Sequence, residues 1–254
     1  MFKSWGRISA DMLLDTYAAV LEEAIEKIRT TQREKILQAA EKVKKVIADD
    51  GLIYVFGCGH SHILAEETFY RAGGLACVAP VFCEPLMLHE SASFSSKLEK
   101  KDGYFGEILQ TLQLTEKDLL ICVSSSGVNA VPVEFADAVR RTGIPVIGIA
   151  SDAYLDQKVA NPCGKHLQEV CTLCIDNAVP HGDACLQPDG LEVKMTPVST
   201  VASTYIINSI LAEATQLALK EGIAVPVYMS GNIPGGAEYN KELIERYRKR
   251  IRSL

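Results

Sequence analysis

Apolar residues recur at helical spacing along the first fifty residues of the chain. A spacing of three or four residues places them on one face of a helix and leaves polar residues on the other. Two such stretches follow each other, the first carrying Leu14, Tyr17, Ala18, Leu21, Ile25 and Ile28 and the second Ile36, Ala40, Val43 and Ile47. Two amphipathic helices are therefore predicted within residues 10–49.

Beyond residue 50, short apolar runs typical of buried strands alternate with helical segments. The runs lie at residues 52–56, 75–79, 119–123, 145–149 and 170–175. Apolar strands separated by helices indicate a parallel sheet with helices on both faces, which is an α/β three-layer sandwich. We expect five strands in the order 2-1-3-4-5. Two further helices are predicted, at 197–221 and in "AEYNKELIERYRKRIR". Residues 83–103 are less regular, and "SASFSSKLEKKDG" is their most loop-like part.

No linker, repeat or low-complexity stretch divides the chain, so a single domain is predicted. Its parts are N-terminal helices (1–49), an α/β core (50–222) and a C-terminal helical extension (223–254). With 254 residues, of which 48% are hydrophobic, the chain is long enough to bury one large core.

The charge balance argues against large anionic partners. A net charge of −6 provides no broad basic surface, so we expect neither nucleic acid nor an anionic membrane as a partner. The N-terminal "MFKSWGRISADML" lacks the apolar segment of a signal peptide, and no apolar run is as long as a membrane span. A cytoplasmic location is the resulting prediction.

The eight cysteines are expected to be reduced thiols, because the chain shows no secretory leader. Four residues imitate the spacing of a zinc site: Cys163, His166, Cys171 and Cys174. However, "EVCTLCID" is predicted to be a strand, and a separation of three residues would point Cys171 and Cys174 to opposite faces. The sequence therefore favours a structural role for these residues.

The candidate chemistry lies in two turns that follow predicted strands. After the first strand comes "GCGHSH", residues 57–62, and a helix predicted over 61–73. After the third strand comes "SSSGVN", residues 124–129, and another helix. Glycines allow close approach of the backbone to a ligand, while hydroxyls and helix N-terminal N–H groups bind anions. Because these two turns are neighbours in the order 2-1-3-4-5, together they indicate a phosphate site.

A dinucleotide site fits the sequence less well. The glycine turn lacks the third glycine or alanine of that motif, since Gly59 is followed by His60, Ser61 and His62. Glu84 is the only candidate for an acid that would bind ribose after the second strand, and no P-loop is present.

The stretches "VFGCGHSH" and "VSSSGVN" resemble the sugar isomerase (SIS) domain, and the resemblance covers about residues 10–222. Among SIS proteins, the chain is most similar to uncharacterised members that are sometimes described as phosphoheptose isomerase-like. Family members bind phosphosugars through a serine in the first turn and a Ser-x-Ser-Gly-x-Ser/Thr loop after a later strand. The resemblance implies a phosphosugar site formed by Gly59, Ser61, Ser124, Ser125 (through its backbone), Ser126 and Asn129.

Some of these assignments have alternatives. Asn129 stands where the family has serine or threonine, and its amide can either donate to the phosphate or cap the following helix. Ser199 and Thr200, in "MTPVST", can complete the phosphate site or simply cap another helix.

Enzymes of the family move protons next to a carbonyl, which requires a positioned base. Glu66 and Glu67, in the helix after the glycine turn, are the candidates, with Glu67 preferred. His62 shares a helix face with Glu66, and together with His181 they are candidates for an acid and base set or for a divalent metal site, such as zinc. In the alternative interpretation, His62 caps or solvates the start of the helix and the glutamates form an exposed face. No cofactor is expected, and zinc remains the alternative.

Two classes of function follow from the resemblance. The first is an aldose–ketose sugar-phosphate isomerase or related lyase, and the second is a phosphosugar sensor without chemistry. SIS active sites often include a histidine of the partner subunit, so His89 and Glu90 are candidates for that role. For an isolated His-Glu dipeptide, however, the sequence favours an exposed position on a helix surface. A homodimer or homotetramer that associates through residues 5–49 is predicted, because the two leading helices carry more apolar surface than one sheet face needs.

Overall fold

The computed structural model describes residues 12–254. Its first two elements are the helices α1 (Leu13–Thr31) and α2 (Arg33–Ala48), which lie where the apolar spacing predicts them. The two helices differ in burial. In α2 the apolar face is packed into the core, whereas in α1 only Ala24 and Ile28 are buried.

The core is a parallel sheet of five strands in the order β2-β1-β3-β4-β5, which confirms the predicted fold class. The strands are β1 (Ile53–Gly57), β2 (Val78–Pro80), β3 (Leu119–Val123), β4 (Val146–Ala150) and β5 (Leu173–Asp176). Every residue of β1, β3 and β4 is buried, as expected for strands covered on both faces. Gly57 pairs with Val123, so β1 and β3 end side by side.

Helices connect the strands and cover the sheet. They are α3 (Ile63–Thr68), α4 (Leu88–Leu98), α5 (Phe105–Leu109), α6 (Ala130–Arg141), α7 (Leu167–Val170), α8 (Ser199–Lys220) and α9 (Gly236–Tyr247). The loop-like interpretation of "SASFSSKLEKKDG" is wrong for its first eight residues, because α4 continues to Leu98, with a kink at Ser91. The serines that made this stretch look loop-like lie largely on its exposed face, while Ser95 is buried and donates to Leu86 O at 2.7 Å.

A small antiparallel hairpin, unforeseen from the sequence, lies between β5 and α8. Its strands are β6 (Ala184–Leu186) and β7 (Met195–Pro197). The hairpin shortens the predicted 197–221 helix, so that α8 begins at Ser199. It also brings Asp183, which directly precedes β6, to the beginning of α8.

Cys171 and Cys174 lie side by side, so the prediction that they face opposite ways is wrong. The strand begins only at Leu173, and Cys171 belongs to the bend after α7. Both thiols pack over Gly148 of β4, where a Cβ atom would lie 2.7 Å and 2.8 Å from the two sulfur atoms. All eight cysteines are free thiols in the structure.

Within residues 12–254, no helix combines the length and apolar character needed to cross a membrane.

Candidate functional site

The first turn reverses the chain tightly at the end of β1. A Cβ atom on Gly57 would lie 2.5 Å from the carbonyl oxygen of Ser61, so only glycine permits this approach. Gly59 has a φ of +55° and begins a 3₁₀ helix that ends at His62. Ser61 N donates to Cys58 O at 3.0 Å, which holds Ser61 over the end of the strand.

The helix after this turn is shorter than the predicted 61–73. It ends at Thr68, whose hydroxyl donates back to Leu64 O at 2.8 Å. Phe69 is extended, and Tyr70 has a φ of +43°. Neither backbone conformation continues a helix.

The second turn joins β3 to α6. Ser124 is buried, and its Oγ accepts from Gly127 N at 3.3 Å, which closes the turn on itself. Ser126 is partly exposed. Asn129 precedes α6 in an extended conformation but makes no side-chain cap bond; its amide donates instead to Glu99. Desolvation by burial raises the pKa of Glu99, and the bond from Asn129 opposes this effect.

The two turns and the beginning of α8 surround one cavity. It is a small cleft that opens to solvent, and the empty space around it, open solvent included, amounts to about 180 Å³. Its lining consists of five hydroxyl residues, two apolar residues and one histidine: Ser61, Ser125, Ser199, Thr200, Ser203, Leu64, Val123 and His60. No lysine or arginine occurs among these lining residues. The predicted adjacency of the two turns is therefore present, and α8 adds a third wall.

The structure divides the predicted phosphosugar residues into two groups. Those that line the cavity are Ser61, Ser125, Ser199 and Thr200, and those that do not are Gly59, Ser124, Ser126 and Asn129. Within the second turn, the central Ser125 thus reaches the cavity instead of its neighbours. The lining also includes His60 and Ser203, which the sequence interpretation missed; the place of His60 between Gly59 and Ser61 was an available indication.

Asn177 is a buried residue that forms hydrogen bonds with two residues of the cavity lining. It follows β5, is 0% exposed, and its Nδ2 donates to Ser125 Oγ at 3.4 Å and to Ser203 Oγ at 3.2 Å. No motif in the sequence connects these residues.

The N-terminus of α8 already holds a carboxylate. Asp183 Oδ1 accepts from Val198 N at 2.9 Å and from Ser199 N at 2.8 Å, and its Oδ2 accepts from Ser199 Oγ at 2.6 Å. The Ser199 side chain therefore caps no N–H group of α8, and its hydroxyl donates to the carboxylate that accepts them. Thr200 and Ser203 follow Ser199 along the cavity wall.

The predicted acid and base residues lie outside the cavity lining. Glu66 Oε1 is 3.3 Å from His62 Nε2, and His62 Nδ1 contacts Gly59 O. Glu67 forms an ion pair with Arg71.

His181 is exposed and stacks on Tyr154, with 4.6 Å between the ring centroids. In the described part of the chain, no three His, Cys, Asp or Glu side chains form a group that could hold a metal. His62, Glu66 and His181 therefore do not come together as a metal site within one chain. The expectation that no cofactor is needed remains a prediction.

His89 and Glu90 are at the beginning of α4. Their side chains are 60% and 58% exposed, and His89 Nε2 is 3.6 Å from Glu90 Oε1. They lie outside the cavity lining, and their role in a neighbouring subunit's site stays a prediction.

Comparison with known proteins gives the family. The SIS domain family model matches residues 16–151, more than half of the chain. UPF0309 protein TTE0306 of Caldanaerobacter subterraneus is 42% identical over 246 residues, covering 95% of this chain and 100% of that protein. UPF0309 protein BH0227 of Halalkalibacterium halodurans is 43% identical over 240 residues, covering 94% and 96%. The chain therefore belongs to the SIS domain family and to the UPF0309 proteins.

A solved structure shares the fold. The phosphoheptose isomerase GmhA from Neisseria gonorrhoeae has a TM-score of 0.50 and 16% sequence identity, covering 80% of this chain and 96% of that chain. At 16% sequence identity, this similarity shows a shared fold and nothing further.

Proposed function

We propose that the chain binds a sugar phosphate, with the phosphate group in the cavity between the two turns and α8. The observation that carries this proposal is the convergence of hydroxyl residues from three elements, represented by Ser61, Ser125 and Thr200, at the carboxyl edge of the sheet. Hydroxyl and backbone N–H donors bind a phosphate without a lysine or arginine. Membership in the SIS family supports the same ligand class, since the resemblance described above implies phosphosugar binding.

Replacing Ser125 tests the cavity. One hydrogen bond to a charged group contributes about 1.5–3 kcal/mol, so Ser125→Ala should weaken binding about tenfold or more. A thermal-shift screen of hexose, amino-sugar and heptose phosphates would identify a ligand for calorimetric titration of parent and variant.

Two further serine variants sharpen this test. Ser126 belongs to the phosphosugar site that the family resemblance implies, but it lies outside the cavity lining, so Ser126→Ala distinguishes between that assignment and the observed cavity. Ser96→Ala, on the exposed face of α4, is the control. If Ser125→Ala binds the identified sugar phosphate as tightly as the parent does, the cavity is not the phosphate site.

For the chemistry, we propose aldose–ketose isomerisation of the bound sugar phosphate. A base removes a proton from the hydroxyl-bearing carbon next to the carbonyl and returns it to the former carbonyl carbon. The proton of that hydroxyl group passes to the former carbonyl oxygen, so a new carbonyl replaces the old one and no electrons are gained or lost overall. A phosphate in the cavity leaves the sugar to extend past α3. Glu66 and Glu67 are the fourth and fifth residues of α3, about 4.5–6 Å along the helix axis from its first residue. The base can therefore lie outside the phosphate cavity.

Exchange of carbon-bound hydrogen tests this reaction. One variant, Glu67→Gln or Glu66→Gln but not both, should abolish deuterium uptake from solvent into the sugar phosphate and leave its affinity almost unchanged. Adjacent helix residues point about 100° apart, so only one glutamate can face the sugar. We prefer Glu67 as the base. His60→Gln tests whether the histidine of the cavity lining takes part in the exchange. Loss of uptake in neither glutamate variant would reject both residues as the base.

A sensor without chemistry is the second candidate. It is favoured by the existing partners of both carboxylates, since Glu66 contacts His62 and Glu67 pairs with Arg71. A parent protein that binds sugar phosphates but exchanges no carbon-bound hydrogen with any of them would support the sensor.

The proposed proton transfer requires no cofactor. We therefore expect the purified protein to retain its exchange activity after dialysis against a chelator. Activity that disappears and returns only with added zinc would favour the zinc alternative.

A further inference from the structure

Asn177 is the buried residue that connects two walls of the cavity. It follows β5, and its side chain lies between Ser125 of the second turn and Ser203 of α8. Because Asn177 is 0% exposed, water cannot replace these contacts.

The orientation of the Asn177 amide follows from its third contact. The backbone N–H of Val179 lies 3.3 Å from Asn177 Oδ1, and a backbone N–H can only donate. The oxygen must therefore face Val179, and the NH₂ group must face the serines. Its two hydrogens match the two hydroxyl oxygens, at 3.4 Å from Ser125 Oγ and 3.2 Å from Ser203 Oγ.

This arrangement directs the hydroxyl hydrogens away from Asn177. Each serine oxygen accepts from the amide, so its single hydrogen must point elsewhere. In the part of the chain that the structure describes, neither Ser125 nor Ser203 donates its hydroxyl to another protein group. Both residues line the cavity. Their hydrogens are therefore available to an acceptor inside it.

We propose that Asn177 is a positioning residue that makes the cavity selective for an oxyanion, by turning Ser125 and Ser203 into hydrogen-bond donors toward it. This inference rests on the proposed function and gives the chemical basis of its ligand class. A carboxylate at position 177 would reverse the arrangement, since it would accept from both hydroxyls and turn their lone pairs to the cavity.

The test compares sulfate binding by the parent and by Asn177→Asp. Inorganic sulfate is the probe because it keeps its charge between pH 4.5 and 8, which removes titration of the ligand. At pH 8 we expect Asn177→Asp to bind sulfate at least about tenfold more weakly than the parent. As the pH falls, the new carboxyl group becomes protonated and can donate again. The ratio of the sulfate affinities of parent and variant should therefore approach one.

Other titratable groups are common to both proteins. His60 lines the cavity, Asp183 lies at the start of α8, and Asp176 precedes position 177. Because these groups titrate in both proteins, their effect on sulfate binding cancels in the ratio of the two affinities at each pH. Repeating the measurement with both proteins carrying His60→Gln removes the contribution of the histidine. Asn232→Asp, at an exposed position in the C-terminal extension, is the matched charge control and should leave sulfate binding unchanged.

The outcomes separate this inference from the proposed function. A parent that binds neither sulfate nor phosphate would reject the anion cavity itself. A parent that binds sulfate, with an Asn177→Asp variant that is unimpaired or equally weakened at every pH, would reject only the role of Asn177. If circular dichroism shows that Asn177→Asp does not fold, Ser203→Ala replaces it: a loss of about tenfold in sulfate affinity supports the inference, and unchanged affinity overturns it.

Discussion

Glu99 and Asn129 form a polar pair directly beside the second turn. Glu99 follows α4, and Val131 N donates to its carbonyl oxygen at 3.0 Å, so α4 and α6 meet at this pair. Desolvation by burial raises the pKa of the Glu99 carboxyl, although Lys100 and the Asn129 amide favour its charged form. The charge of Glu99 is therefore unfavourable to folding, because the folded state binds its proton more tightly than the unfolded state.

The sign of this pKa shift predicts a pH-dependent effect of Glu99→Gln. The stability that a raised pKa contributes is complete below the unfolded pKa and is lost as pH rises through the folded pKa. Glutamine cannot ionise and still accepts from Asn129. Thermal unfolding should therefore show a gain in Tm on the order of 1–3 °C at pH 7 and almost none at pH 4. Glu90→Gln, at an exposed site, is the control, and a gain larger at pH 4 than at pH 7 would contradict the argument.

The first turn depends on glycine for steric reasons. Gly57 ends β1, and a Cβ atom there would lie 2.5 Å and 2.6 Å from the carbonyl oxygen and carbon of Ser61, so the missing Cβ leaves room for this backbone. The same close approach holds Ser61 and His60 at the cavity. Stability of the sheet edge and the shape of the candidate site therefore depend on one residue of the turn.

Gly57→Ala should disturb both properties. Overpacking against backbone atoms costs about 1–3 kcal/mol, and the displaced turn should weaken sugar-phosphate binding. Urea unfolding and calorimetric titration would measure the two effects. Gly106→Ala is the matched control, because a Cβ there meets no atom within 4 Å and the site is helical, so its stability should be unchanged or slightly higher. A stable Gly57→Ala protein with parental affinity would show that the turn tolerates a side chain.

At the scale of the whole molecule, exposed apolar side chains gather at the beginning of α1 and on the hairpin. They are Met12, Leu13, Leu14, Leu191, Val193 and Met195. The two segments are in contact, since Tyr17 Oη donates to Pro197 O at 2.9 Å. Exposed patches of this kind mark interaction surfaces. Part of the segment predicted for association, residues 5–11, lies outside the described residues.

We propose that a second copy of the chain covers this surface. Sedimentation at micromolar concentration should then show a dimer or tetramer, and Leu14→Asp should shift it toward the monomer, because the aspartate would be buried without a partner. Leu219→Asp, at an apolar residue that is 56% exposed at the end of α8, should not change the assembly. A parent that sediments only as a monomer would exclude the proposed association.

Local patterns in the sequence determined the sheet and the position of the two turns. Buried strands are continuous apolar runs, and turn glycines follow them directly, so both can be recognised over a few neighbouring residues. The strand order and the "SSSGVN" turn then place the candidate site at one edge of the sheet. The family resemblance rests on the same short stretches.

Which side chains meet in the cavity depends on contacts between residues that are far apart in the chain. Ser125 and Asn177 are 52 residues apart, and no local pattern connects them. Within an irregular turn, the direction of each side chain depends on its own φ and ψ, so the sequence could not distinguish Ser125 from Ser124 or Ser126. Helix length was uncertain for a similar reason, since α3 ends at Thr68 through a backbone change at the next two residues. Asp183 reaches the start of α8 only because the β6–β7 hairpin folds back, a contact that depends on the packing of the whole chain.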